Sequence, residues 1–242
     1  MDLNKLLEHH HRQVNRKAWR DLQHFSSSLS ENGQLKSVSA PVSPHLQVTA
    51  LCHRSLVKDG PALLFEKPRG FDMPVLGNLF GNQQRILAAL ELQSRKDLLA
   101  LGRDLAFLRN PSLPDSRQSM LDVAPGFARL AHITPKLKDK APWQENHVEG
   151  PDVDLGKLPI SQCWPDDAGP LITWGMVITR GPDKPRVNLA IYRLQVIGKN
   201  KLIMRWLPHR GGAQDFREFQ AEHPGEPFPV AVVIGADPAT LL

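Results

Sequence analysis

The chain has 242 residues, 41% of them hydrophobic, with 30 Lys and Arg against 25 Asp and Glu for a formal charge of +5. That is apolar material for one large domain or two ordinary ones, and the basic balance favours anionic partners: a phosphorylated cofactor, an acidic substrate, nucleic acid or an anionic membrane surface. Only Cys52 and Cys163 are present, which excludes a disulfide framework, a CxxC pair and a zinc knuckle. No run approaches the roughly 20 apolar residues of a membrane span, so a cytoplasmic protein with two buried thiols is expected.

Residues 1–15 are polar and lack the apolar core of a signal peptide; their Glu8-His9-His10-His11 tract reads as a frayed end rather than a metal site. From Trp19 to Leu29, Trp19, Leu22, Phe25 and Leu29 recur at helical spacing, and Gly33 stops that helix before a strand at Leu35–Val38. A second helix is expected over Val48–Val57, ending near Gly60. PALLFE (61–66) and MPVLGNLF (73–80) read as strands, Asn82 as the cap of a helix through Leu90, and Leu98–Leu108 as a further helix. Residues 16–110 therefore form an N-terminal α/β domain.

Residues 111–154 are rich in Pro, Asp, Lys and Gly and read as a connector, its Lys136, Lys138 and Lys140 lying in a solvated loop. Over residues 155–242 strand signals dominate: PLITWGMVITRG (170–181), NLAIYRLQVIGKNKLIMRWLPHRGG (188–212) and FPVAVVIGADP (228–238). An antiparallel sheet or small barrel is expected. Asp237-Pro238 is an N-cap and first-turn pair, so a helix begins where the chain stops, and the chain reads as the N-terminal fragment of a longer protein. Asp166-Asp167 after Trp164-Pro165 reads as a turn, and no P-loop, GxGxxG or GxSxG occurs.

The 188–212 run carries the chemistry. A turn at Gly198-Lys199-Asn200 would fold it into one hairpin, setting Arg193 opposite Arg205 or Trp206, and Asn188 opposite Arg210 or Gly211 beside His209. Like charges facing across a sheet repel by up to about 1 kcal/mol, so an anion is expected between them. Gly211 and Gly212 can bring bare backbone N–H groups to phosphate oxygens. Asn188 and His209 offer an oxygen and a nitrogen, half of a metal site. Asn188 and Arg193 differ by an odd number, so joint service at one site requires a bulge or a twist between them.

The run PISQCWPDDAGPLITWGMVITRGPDKPRVNLAIYRLQVIGKNKLIMRWLPHRGGAQDF, together with PHLQVTALCHRSLVKDGPALLFEKPRG and MPVLGNLFG, resembles the UbiD family of prenylated-FMN-dependent decarboxylases from about Trp19 to Leu242. The resemblance implies an α+β protein: the N-terminal α/β domain followed by a truncated split β-barrel, flavin reductase-like, over 155–242, with a C-terminal domain absent. It implies non-oxidative decarboxylation of 3-polyprenyl-4-hydroxybenzoate in ubiquinone synthesis, or, alternatively, of another aromatic or cinnamic acid. Prenylated FMN is the implied cofactor, manganese the usual metal, and a monovalent cation a second candidate ion. Asn188 and His209 would ligate the metal. Ile191, Tyr192, Arg193, Arg205, Trp206, Leu207, Arg210 and Gly211 would line the flavin pocket, and Arg193 would be the arginine of a Glu-Arg-Glu catalytic group. Leu194 and Pro208 depart from the polar residues of the family.

The third metal ligand and both catalytic carboxylates of the family lie beyond Leu242, so the chain alone is expected to have little activity and to bind cofactor weakly. Implied partners are a polyprenylated aromatic acid, a flavin prenyltransferase supplying the cofactor, further copies of the full-length protein in a hexamer, and the inner membrane face. A basic nucleic-acid-binding module and a non-catalytic scaffold are the competing readings; the resemblance implies no nucleic acid.

Overall fold

The computed structural model describes residues 19–109 and 139–242. The histidine tract and the lysines at 136 and 138 lie outside them. One compact unit gathers the described residues up to Glu91 with Pro151–Leu242, and a second takes those from Leu92 to Gly150.

Helix α1 (Leu22–Glu31) starts where the Asp21 carboxylate accepts the His24 N–H at 2.7 Å and ends at Gly33, whose φ of +68° suits a residue without Cβ. Strand β1 (Leu35–Val38) runs parallel to β2 (Ala62–Phe65), with helix α2 (Gln47–Val57) as the crossover. β3 (Val75–Gly77) pairs antiparallel on the far side of β2. Phe25, Leu29, Leu35, Ala62 and Ala89 form one buried cluster; Val42, Val48, Leu63 and Phe65 form another. Ala62 and Leu63, adjacent along β2, thus serve opposite faces.

Helix α3 (Gln83–Ala89) is capped by Asn82, whose side chain accepts the Arg85 N–H at 2.9 Å. Arg85 itself is 1% exposed. Its guanidinium donates to the carbonyls of Leu79 (2.8 Å), Gly60 (3.0 Å) and Asn78 (3.1 Å) and to Gln34 Oε1 (3.3 Å). Burial lowers its pKa, and the four acceptors tie together the loops around β3.

In the second unit, helix α4 (Arg95–Arg109) begins three residues before the expected Leu98, because Asp97 accepts from the Ser94 N–H and hydroxyl and extends the N-terminus. A short 3₁₀ turn, Pro142–Gln144, follows among its described residues.

The C-terminal half holds two three-stranded antiparallel sheets. One has the order β4-β7-β8: β4 (Leu171–Ile172), β7 (Leu194–Gly198) and β8 (Lys201–Met204). The other has the order β6-β5-β9: β5 (Met176–Thr179), β6 (Asn188–Ile191) and β9 (Ala231–Val233). Two expected long strands are therefore each divided between the sheets: 170–181 into β4 and β5, and the first arm of the 188–212 hairpin into β6 and β7. The hairpin survives over 194–204, with Leu194 opposite Met204 and a register shift ahead of Gly198 opposite Lys201.

Helix α5 (Gly211–Glu222) is an element that the strand-dominated reading of 155–242 does not include. It is held by an aromatic cluster in which Trp206 meets Phe216 at 5.6 Å and Phe228 at 5.9 Å between ring centroids. Helix α6 (Pro238–Leu241) has the expected cap: Asp237 accepts from the Ala239 and Thr240 N–H groups at 3.1 Å. Both cysteines are half-buried rather than buried, although burial pushes the Cys52 thiol up to about 11. Among the described residues no helix is long and apolar enough to cross a membrane.

Candidate functional site

The two divided strands break side by side. Between the pairs Ile172–Leu194 and Met176–Ile191, three residues, Thr173–Gly175, stand against two, Tyr192 and Arg193. This is a bulged corner, bridged by the Tyr192 N–H donating to the Gly175 carbonyl at 3.3 Å. Gly175 is required there, because a Cβ would lie 2.6 Å from Leu194 Cδ1 and 3.3 Å from Val232 Cγ1. Leu194 is a core side chain, 2% exposed.

The corner borders a cleft of about 440 Å³ lined by Cys163, Trp164, Asp167, Leu171, Thr173, Trp174, Ile191 and Arg193. Asp167 is committed to its turn, as expected: its carboxylate accepts the Trp164 N–H at 2.9 Å and the Cys163 N–H at 3.2 Å. Thr173 and Arg193 are exposed, and they share the cleft with two exposed tryptophans, Trp164 and Trp174. Flat aromatic walls beside a planar cation suit a planar ligand with an anionic substituent.

A second polar patch lies at the other end of β6. Thr179 stands opposite Asn188 in the ladder, and Asn188 Nδ2 donates to Thr179 Oγ1 at 3.1 Å. The Thr179 hydroxyl donates to Asp215 Oδ2 at 2.8 Å. Asp215, on α5, is 0% exposed and faces Lys184 Nζ (3.3 Å) and Arg186 (3.7 Å) through its other oxygen. Lys184 also pairs with Glu218, and hydrogen bonds from Lys184 and Gln214 hold the Glu218 carboxyl below the usual range. The start of α5 presses on this patch. A Cβ on Gly211 would collide with Asn188 Oδ1 and lie 2.9 Å from its Cγ, and the Gly212 N–H donates to the Tyr192 hydroxyl at 3.2 Å.

The sequence-derived residues thus do not form a single group. Burial alternates from Asn188 to Leu194: Asn188, Ala190, Tyr192 and Leu194 turn inward, while Leu189, Ile191 and Arg193 are exposed. By that alternation Asn188 and Arg193 fall on opposite faces, and the extra residue of the bulged corner sits in Thr173–Gly175 on the opposing strand, where it does not change their parity. Asn188 meets Gly211, whereas Arg193 joins Ile191 at the cleft. Tyr192 belongs to the core with Ile172, Val177 and Leu194, and Trp206 packs against it. Arg205, Leu207, His209 and Arg210 are exposed between β8 and α5. Among the described residues Arg193, Arg205 and Arg210 make no ion pair, and no three His, Cys, Asp or Glu side chains could together hold a metal.

Sequence reasoning missed Thr173 and Trp174, although Gly175 inside a strand pattern is a bulge signal. It also missed Thr179 and Asp215, whose pairing joins residues 36 apart in the chain.

Residues 26–105 match the 3-octaprenyl-4-hydroxybenzoate carboxy-lyase N-terminal domain, and residues 135–242 match the Rift-related domain of the same carboxy-lyase. Among solved structures the chain is similar to the UbiD-class enzyme HmfF from Pelotomaculum thermopropionicum in complex with FMN (29% identity, TM-score 0.71, covering 90% of this chain and 43% of that one). An evolved dimeric form of HmfF with prFMN gives 30% identity, a TM-score of 0.71 and coverage of 90% and 44%. Vanillic acid decarboxylase of Sedimentibacter hydroxybenzoicus, in closed form, gives 26% identity, a TM-score of 0.74 and coverage of 93% and 45%. The chain thus spans less than half the length of these relatives.

Proposed function

We propose, from the premise that the chain belongs to the UbiD family, that it forms the flavin-gripping part of a non-oxidative decarboxylase of an aromatic acid. The observation that carries this reading is the pair of polar patches joined by β6. FMN has a planar ring at one end of a ribityl chain and a phosphate at the other, and the two patches, which lie on opposite faces of the strand, suit its two ends with the ribityl chain passing the strand at the bulged corner. The Thr173–Arg193 corner takes the ring side, and the Asn188–Gly211 patch, with Arg205 and Arg210 nearby, takes the phosphate. Arginines with no ion pair among the described residues and the Gly211 N–H at the start of α5 are suited to phosphate oxygens, while the Gly212 N–H already donates to Tyr192.

The donor set fits a hard divalent cation in part: Asn188 Oδ1 and the His209 imidazole are two donors, so manganese would need the rest from phosphate, water or residues outside the described chain. Prenylated FMN, when bound, supplies the electron sink for breaking the bond to the carboxylate carbon. Release of carbon dioxide leaves an electron pair on the substrate carbon, and a proton must return there. Arg193 can hold a carboxylate or a carboxylic acid in two-point fashion, but a guanidinium does not give up its proton and so positions rather than protonates. Asp167 is held in its turn by two backbone N–H groups donating to Oδ2, so the proposal does not give it the acid's part. A carboxylic acid from elsewhere in a longer polypeptide is part of the proposal, as are a prenyltransferase supplying the flavin and self-association of the whole protein. One solved relative is by name a vanillic acid decarboxylase, which favours a small aromatic acid over a polyprenylated one.

Titrating the chain into FMN and into riboflavin, with flavin fluorescence as the signal, tests this reading. FMN should bind at least tenfold more tightly than riboflavin, and the difference should shrink as salt is raised. Equal affinities, or no quenching by the chain at millimolar concentration, would reject it.

A further inference from the structure

We infer that Thr179 and Asp215 are positioning residues that fix which way round the Asn188 carboxamide sits, so that its oxygen rather than its nitrogen is offered beside Gly211 to a cation. This deepens the proposed function and rests on it for the cation, but the orientation itself stands on hydrogen-bond polarity. Asp215 is fully buried, and its Oδ1 faces the cations of Lys184 and Arg186. Its Oδ2 accepts the Thr179 hydroxyl at 2.8 Å. A carboxylate can only accept, and a hydroxyl has a single proton to give. Once that proton points at Asp215, Thr179 turns a lone pair toward Asn188.

The group meeting a lone pair must be a donor, so the carboxamide NH₂ faces Thr179, at 3.1 Å, and the C=O faces away. The oxygen then lies against Gly211, where the missing Cβ leaves the space that Oδ1 occupies. A flipped carboxamide would present N–H groups at that point and repel a cation. The order acceptor, hydroxyl, amide thus works as a polarity relay from a buried charge on α5 to the tip of a side chain on β6.

The relay makes different demands on each position. Serine at 179 keeps the hydroxyl and should keep the orientation, while valine keeps the shape and removes the relay. Asparagine at 215 can donate to Thr179, which reverses its polarity. The test uses the 242-residue chain as wild type, Thr179→Ser, Thr179→Val and Asp215→Asn, with near-ultraviolet circular dichroism confirming the fold. The side-chain amide protons of Asn188, assigned by their disappearance in Asn188→Ala, are followed by ¹⁵N-edited NMR. One amide proton should exchange slowly and show a contact to Thr179 in wild type and Thr179→Ser, within twofold of each other. In Thr179→Val and Asp215→Asn exchange should rise at least tenfold. A folded Thr179→Val protein with wild-type amide exchange would overturn the relay.

A second arm adds Mn²⁺ and FMN and reads paramagnetic broadening at the Gly211 amide, expected in wild type and Thr179→Ser and lost in Thr179→Val. Absence of broadening in wild type, with the amide exchange pattern intact, would overturn the cation reading and leave the orientation standing. Equal broadening in wild type and Thr179→Val would overturn the claim that the relay serves the cation.

Discussion

Replacing Gly211 with alanine puts the packing of α5 on the Asn188 patch to a quantitative test. The new Cβ would collide with Asn188 Oδ1 and stand 2.9 Å from its Cγ, and the carboxamide cannot swing aside freely because Nδ2 is bonded to Thr179. Overpacking of this kind costs about 1–3 kcal/mol, and displacing the amide forfeits a hydrogen bond with a net value of about 1 kcal/mol. Alanine returns at most about 1 kcal/mol through helix propensity, and less at the first position of α5. The net expectation is a loss of about 2 kcal/mol, read by urea unfolding. Gly212→Ala is the milder companion: its Cβ would meet the Tyr192 hydroxyl at 3.2 Å, a contact relieved by a small shift. The decisive comparison is a double-mutant cycle with Asn188→Ala, which removes the obstructing amide, so that Gly211→Ala should become nearly neutral. A cost that is the same in both backgrounds, or no cost in either, would refute the argument that Asn188 and Gly211 are in contact.

Arg85→Met should lower the unfolding free energy by about 3–5 kcal/mol, because four acceptors around a 1%-exposed guanidinium lose their donor together; denaturant unfolding within 1 kcal/mol of wild type would contradict that. Cys52, pushed up to about 11 by burial, should resist thiol reagents at pH 8 in the native chain, where about one thiol in a thousand is thiolate. The unfolded chain gives up that proton first, so stability should fall as pH climbs from about 9 toward 11, and Cys52→Ser should lack that alkaline decline. Glu218 is shifted the other way, held down by Lys184 and Gln214. Its contribution is present above the ordinary carboxylate range and disappears as pH falls through its lowered pKa, so Glu218→Gln should flatten the acid limb of the stability profile.

Local signals carried most of the N-terminal half and the cap near the C-terminus. The spacing of Leu22, Phe25 and Leu29, the stop at Gly33 and the caps at Asn82 and Asp237 are decided within a few residues, and each lies where the sequence places it. The β7–β8 turn was legible for the same reason. The division of two strands between sheets was not, because alternation continues across Tyr192 and Arg193 and a period of two says nothing about which sheet a residue joins. The extra residue in Thr173–Gly175 is visible only against its partner strand. Helix α5 was hidden by its opening glycines, which are small for the sake of Asn188 and Tyr192 rather than to make a loop. Joint service of Arg193 and Asn188 at one site meets a parity obstacle that the sequence already shows: five positions separate them, and burial alternates across the interval.

The account stands or falls on a flavin reaching from one patch to the other. Backbone and side-chain NMR shifts of the chain, titrated in parallel with FMN and with riboflavin, read this residue by residue. FMN should move the Gly211 and Gly212 amides together with the Trp174 indole and Arg193, while riboflavin, lacking the phosphate, should move only the Trp174–Arg193 corner. Shifts confined to other parts of the chain, or identical patterns from both flavins, would contradict it.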